Sequence, residues 1–139
     1  MSSQLYIHSF VPASRGNGPG LRSVLWVQGC TLGCPGCFNP ETHTPTGGQA
    51  LSVDAVFQLI AAQQKQVQGL TISGGEPLLQ PAALLELLQR VRRETTLSTL
   101  MFSGFTWQEI GRIKQSEMIL SCLDVLLAGR YDQSQRVAA

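Results

Sequence analysis

The sequence predicts an α/β fold: an open, partial (β/α) barrel with a mostly parallel sheet. Strand-like runs alternate with amphipathic helical runs, the pattern of parallel strands joined by helical crossovers. Four special segments each follow a predicted strand: the cysteine run from Gly29, Ser73 to Pro77, Ser103 to Thr106, and Ala128 to Tyr131. All four would line the carboxyl edge of the sheet, where function in such folds gathers. The chain has 139 residues, read as a single domain over 1–139, and a closed eightfold barrel needs far more.

Leu5 to Phe10 reads as the first strand, followed by a glycine- and proline-rich loop from Pro12 to Gly20. Gly16-Asn-Gly-Pro-Gly20 is superficially like a phosphate loop, but it precedes a strand instead of joining strand to helix, which argues against that role. Ser23 to Gln28 is the next strand, rich in β-branched and aromatic residues (Val24, Trp26, Val27). Gly29 to Ala50 is irregular, and irregular segments of this length inside a compact domain are usually functional. From Ser52, the expected N-cap, Val53, Val56, Phe57, Leu59 and Ile60 are spaced for one buried helix face, with Gly69 as the stop. Leu70 to Ile72 forms a short strand. Pro81 opens a second helix with Leu84, Leu85, Leu87, Leu88 and Val91 on its apolar side. Thr99 to Phe102 is a strand, Thr106 and Glu109 are spaced as a capping box for a third helix, and Asp124 to Ala128 is the last strand. Trp26, Trp107 and the isolated Cys122 are expected in the core.

Hydrophobic residues make up 43% of the chain and charged residues 14%, which is globular and not disordered. A net charge of +1 gives no long-range field for nucleic acid or an anionic membrane. Arg90, Arg92 and Arg93 read as a solvated helix face. No signal-peptide pattern opens the sequence and no apolar run reaches membrane-spanning length. With tightly spaced free thiols suited to a reducing interior, the expectation is a cytoplasmic protein.

Cys30, Cys34 and Cys37 form a C-x3-C-x2-C cluster directly after an apolar strand-like segment. Three thiolates this close can converge on one inorganic centre. In a cubane [4Fe–4S] cluster they would leave one of the four irons open, which implies chemistry at the cluster as well as electron storage. Other readings stay open on the cysteines alone. Cys34-Pro-Gly-Cys37 could be a dithiol redox pair, although the prolines and glycines that follow disfavour an immediate long helix. Phe38 stands where a c-type haem site needs histidine. A Cys3His zinc site with His43 is a further possibility.

C-x3-C-x2-C followed by a strand-end Gly-Gly-Glu resembles the radical S-adenosylmethionine (SAM) enzymes. The resemblance is closer to one branch, the activating proteins of anaerobic ribonucleoside-triphosphate reductase. It runs in order through Asn17 to Gly20, residues 29–39, Leu70 to Pro77, Phe102 to Phe105 and Asp124 to Tyr131. The resemblance implies that Cys30, Cys34 and Cys37 hold a [4Fe–4S] cluster whose open iron binds the SAM amino and carboxylate groups. Gly36 and Phe38 would contact the adenosyl part. Gly74, Gly75 and Glu76 would receive the methionine end, with Ser103 and Gly104 as further contacts. Glycines let a ligand approach the backbone closely, and a carboxylate suits an ammonium group. The implied reaction is one-electron cleavage of SAM to methionine and a 5′-deoxyadenosyl radical, which abstracts hydrogen from a backbone glycine of a partner enzyme. The implied partners are a glycyl-radical enzyme such as anaerobic ribonucleotide reductase and a small electron-donor protein. No general acid, base or protein nucleophile is expected.

Departures from the family pattern also register. Gly36 stands where many radical SAM enzymes have an aromatic residue, and Ala128 where an acidic residue commonly precedes the glycine. Members of the branch usually continue into a Gly-Ser-Ser-Asn segment, so the expectation is either a truncated or a shortened carboxyl terminus. Two alternatives share some of these residues: a radical SAM enzyme modifying a peptide or small molecule, and a non-catalytic iron–sulfur or zinc module. The latter gives no reason for the Gly-Gly-Glu segment.

Overall fold

The computed structural model describes residues 4–28 and 49–129. Six strands, β1 (Gln4–Ser14), β2 (Arg22–Val27), β3 (Gln49–Ser52), β4 (Gly69–Gly74), β5 (Ser98–Ser103) and β6 (Val125–Ala128), form one sheet in the order β3-β1-β2-β4-β5-β6. β2, β4, β5 and β6 run parallel, as the alternation of strands and helices predicts. The amino-terminal side departs from it: β1 is antiparallel to both β2 and β3.

Four helices connect the strands: α1 (Val53–Ala61), α2 (Pro81–Glu94), α3 (Trp107–Gly111) and α4 (Ser116–Ser121). Ser52 caps α1 by accepting the Ala55 N–H, and Pro81 occupies the first position of α2, where its missing N–H costs nothing. The capping box at Thr106 and Glu109 forms in full. α1 covers its apolar spacing but ends at Ala61, and Gly69, expected as its stop, is the first residue of β4. Past Ala61 the N–H groups of Gln63 and Gln64 reach back only three residues, to Ile60 and Ala61, and the polar Gln-Gln-Lys run unwinds into turns. The expected third helix is divided into α3 and α4 by Gln115, a non-glycine residue at φ +71°.

The core joins strand residues Leu5, Ile7, Leu25, Val27, Leu70, Ile72 and Met101 to Val56, Phe57 and Ile60 of α1, to Leu84, Leu87, Leu88 and Val91 of α2, and to Ile119 of α4. Cys122 lies at its margin, buried, as an apolar filler. Leu59 does not share the buried face of α1 and stays exposed. Trp26 is half-buried and Trp107 is 63% exposed. The core placement expected for Trp107 is therefore corrected: at the first position of the short α3 it projects outward, while Ile110 turns inward. Arg90 also departs from a plainly solvated face. Its guanidinium stacks 4.1 Å from the Phe57 ring centroid and pairs with Asp54 at 2.8 Å and Glu94 at 3.0 Å. The Arg90 hydrogen bond is the main cause that holds the Asp54 carboxyl below its ordinary value.

Two element boundaries differ for tertiary reasons. β1 runs four residues past Phe10, through Pro12, because the register shift between Val11 and Ser14 accommodates the ring, and the Ser23 hydroxyl donates to the Pro12 carbonyl. β3 lies partly within the stretch expected to be irregular. Gln49-Ala-Leu-Ser52 has little strand character of its own and forms by pairing with Gln4 to Ile7.

Candidate functional site

Parallel register brings three strand ends to one edge. Val27 of β2 pairs with Gly74 of β4, and Ile72 of β4 pairs with Met101 of β5. The chain leaves β2 at Gln28 and enters the cysteine segment from this carboxyl edge. Cys30, Cys34, Cys37, Gly36, Phe38 and His43 themselves lie outside the described residues, as does the segment from Arg130 onward. Gly74, Gly75, Glu76, Ser103 and Gly104 are all described, and the fold brings these five together.

Gly74 owes its identity to the neighbouring strand. It has φ +102°, and a Cβ built there would stand 2.5 Å from both the backbone nitrogen and the carbonyl oxygen of Val27. Gly75 continues the approach, its N–H donating to the Val27 carbonyl at 2.9 Å. The Gly-Gly pair thus seats the β4 loop directly on the end of β2. Glycine is required here by packing within the protein itself.

Glu76 is wholly buried. Its Oε1 accepts the Gly104 N–H at 2.6 Å, and its Oε2 accepts the Ser103 hydroxyl at 2.9 Å and the Leu78 N–H at 3.0 Å. The Leu78 bond makes Glu76 the cap of a short 3-10 turn, Pro77–Leu79, that leads into α2. Ser103 in turn accepts the Phe105 N–H at 3.1 Å, and its carbonyl accepts the Gly129 N–H at 3.0 Å. The ends of β4 and β5 are therefore joined through two side chains, and the end of β6 is tied to β5 by a backbone bond.

Gln80, which sequence reasoning does not single out, ties the remaining corner. Its amide oxygen accepts the Tyr6 N–H at 2.8 Å, and its amide nitrogen donates to the carbonyls of Tyr6 at 3.0 Å and Gln28 at 3.3 Å. Gln28 also donates its own N–H to the Tyr6 carbonyl. Gln80 therefore fixes the residue from which the cysteine segment departs. A glutamine three residues past a Gly-Gly-Glu-Pro turn is the one sequence signal that could have pointed to it.

The opposite edge holds the Asn17 to Gly20 loop. The Asn17 carbonyl accepts the Thr71 hydroxyl at 2.7 Å, and the Pro19 carbonyl accepts Arg22 at 3.3 Å. Gly18 (φ +131°) lies against the Arg22 and Leu100 side chains. This loop closes the amino edge of the sheet, on the far side from Gly74, and contributes to a different structure from the site.

Among the described residues no three His, Cys, Asp or Glu side chains group as metal ligands, and Cys30, Cys34 and Cys37 lie outside those residues. Three thiolates are a donor set that suits a cluster with one open iron, and the described edge beside their segment is built of glycine backbone and strand ends. No helix among the described residues is long and apolar enough to cross a membrane.

Comparison with known proteins bears on the family and the fold. Residues 16–138 match the family described as a 4Fe-4S single cluster domain. The chain is 36% identical, over 133 residues, to the anaerobic ribonucleoside-triphosphate reductase-activating protein of Haemophilus influenzae, covering 91% of this chain and 84% of that protein. It is 33% identical over 135 residues to the protein of the same name from Vibrio cholerae, covering 92% of this chain and 85% of the other. Among solved structures, QueE from Escherichia coli shares the fold with a TM-score of 0.61 at 22% identity, over 74% of this chain and 54% of that one.

Proposed function

The chain belongs to the 4Fe-4S, radical SAM family of anaerobic ribonucleoside-triphosphate reductase-activating proteins, and from that premise we propose that it installs a glycyl radical on a partner enzyme of the anaerobic ribonucleotide reductase class. The observation that carries the proposal is the shared edge: the cysteine segment departs from the strand end against which Gly74 and Gly75 are packed.

In this reading Cys30, Cys34 and Cys37 hold the [4Fe–4S] cluster, and Gly36 and Phe38 flank the adenosyl part of SAM. The segment Gly74 to Glu76 receives the methionine end, with Ser103 and Gly104 beside it. When bound, cluster and SAM together supply one-electron chemistry and a carbon radical able to take hydrogen from a glycine. The chain's own residues orient SAM, keep the strand ends fixed and leave room for a protein substrate. Trp107 is 63% exposed and Phe105 half-buried, both next to Ser103 and Gly104 in sequence, and they form a surface for the glycine-bearing segment. The electron comes from a small electron-donor protein.

Anaerobic reconstitution followed by assay tests this. The expected protein is brown, carries about four irons per chain, and forms 5′-deoxyadenosine from SAM under reduction. Cys34→Ala should abolish the cluster and Cys122→Ala should retain it. With a glycyl-radical reductase added, the glycyl radical signal should appear, and Trp107→Ala should reduce that signal more than it reduces SAM cleavage without partner. An intact cluster in Cys34→Ala overturns the assignment of the cysteines. Equal loss of both activities in Trp107→Ala favours a radical SAM enzyme acting on a small molecule.

A further inference from the structure

The resemblance hands the Glu76 carboxylate to the ammonium of SAM, yet that carboxylate presents no accessible surface, and both its oxygens already accept donors from this chain. We propose that Glu76 is a positioning residue, whose buried carboxylate braces the ends of β4 and β5 so that the rigid backbone of this edge, and not the carboxylate, meets the methionine end of SAM. The inference rests on the SAM reading of this edge and deepens it.

Three features support the brace. The donors come from separate places: Leu78 lies on the turn after β4, while Ser103 and Gly104 close β5. A single carboxylate therefore links two strand ends beyond the last β4–β5 ladder pair, Ile72 with Met101. The donors are also directional. Ser103 accepts from the Phe105 N–H and donates to Glu76, so the whole Ser103-Gly104-Phe105 turn is oriented by one acceptor group. Burial strengthens each bond, because the alternative for a desolvated carboxylate is an unmet charge. A ligand ammonium could reach Glu76 only by opening the packing that buries it.

Glutamine in place of Glu76 keeps the shape but turns an amide N–H2 toward at least one of these donors, since only one of its terminal atoms is an acceptor. The edge would loosen for any ligand laid on it. A direct salt link would behave differently, its loss being felt only by a ligand that carries the ammonium.

The test compares SAM with its analogue lacking the α-amino group, by calorimetry on the reconstituted wild type, Glu76→Gln and Ser103→Ala. For the brace, Glu76→Gln weakens both ligands by the same factor, about tenfold, and Ser103→Ala weakens both equally by a smaller factor. A loss confined to SAM, with the analogue unaffected, overturns the proposal in favour of direct contact. Should Glu76→Gln fail to fold, the Ser103→Ala protein makes the same comparison. Denaturant unfolding of the two single variants and the double variant supplies a readout independent of SAM: coupled losses support the brace and additive losses sink it. Wild-type protein that binds neither ligand would overturn the SAM reading, and the unfolding cycle would still judge the brace.

Discussion

Each edge of the sheet buries one charged side chain between β4 and β5, and the two are handled in opposite ways. At the amino edge Arg22, 3% exposed, satisfies its guanidinium with neutral groups only: the hydroxyls of Thr71 and Ser98 and the carbonyls of Pro19, Leu70 and Ser98. A guanidinium has five N–H donors, and five bonds are made. Burial pulls its pKa below the ordinary arginine value, and Asp124 opposes that pull. Gly69 leaves the room Arg22 needs, since a Cβ there would stand 2.5 Å from the guanidinium carbon. At the carboxyl edge Glu76 is equally buried, but its partners are the very segments that the family resemblance assigns to SAM. The amino-edge charge is sealed beneath its own loop and acts on stability. The carboxyl-edge charge lies directly behind the candidate site and acts on geometry.

The sharpest way to break this contrast is Gly74→Ala. The new methyl group would meet the Val27 backbone at 2.5 Å, in a φ region that L residues avoid. Strain and overlap together should cost about 3–5 kcal/mol of unfolding free energy. Because β2 would be pushed from β4 just before the cysteine segment, iron retention and SAM affinity should fall as well. A protein of unchanged stability would show that the Gly74–Val27 approach is not required.

Arg22→Met should come next, with about 2–4 kcal/mol lost as three carbonyls and two hydroxyls lose their shared donor. The contrast requires that SAM affinity, measured well below the melting temperature, remain within about twofold of wild type. A large loss of SAM affinity at intact stability would mean that the two edges are not separate in function.

The same contrast explains what could be read from the sequence. The parallel core was legible because Leu70 to Ile72, Leu84 to Val91 and Thr99 to Phe102 carry their periods openly, and because caps such as Ser52 and Thr106 act within three residues of themselves. The cysteine triad and the Gly-Gly-Glu segment were legible as chemistry for the same reason: their spacing is local. β3 was not, since Gln49 to Ser52 becomes a strand only through pairing with β1. Nor could Glu76 or Arg22 be seen as buried charges, because most of their partners stand far off in the chain, 27 or 28 residues away for Glu76 and 48, 49 or 76 for Arg22. Trp107 was misplaced because a tryptophan's burial depends on which way a short helix faces, and a five-residue helix has too little period to tell.

The smallest expected effect belongs to Asp124, which links α2 to the amino edge. Its carboxylate accepts the Thr99 N–H at 2.8 Å and Arg92 at 3.0 Å, and these hold its pKa below the ordinary aspartate value, the Thr99 backbone bond being the main cause. A carboxyl whose folded pKa is depressed adds stability that is present above the unfolded value and lost as pH falls through the folded one. The contribution of Asp124 should therefore be complete at neutral pH and start to be lost once pH falls below about 4, the ordinary aspartate value, towards the lower folded one. The side chain is 42% exposed, so solvent screening limits the gain. Asp124→Asn should cost roughly 1 kcal/mol or less at pH 7. The difference between variant and wild type should shrink as pH is lowered past the ordinary aspartate value, as followed by denaturant unfolding from neutral to acid pH. SAM affinity at pH 7 should not change, because Asp124 precedes β6 at the end remote from Gly74 and Glu76. A difference that persists undiminished at low pH would assign the effect of Asp124 to packing and not to its charge.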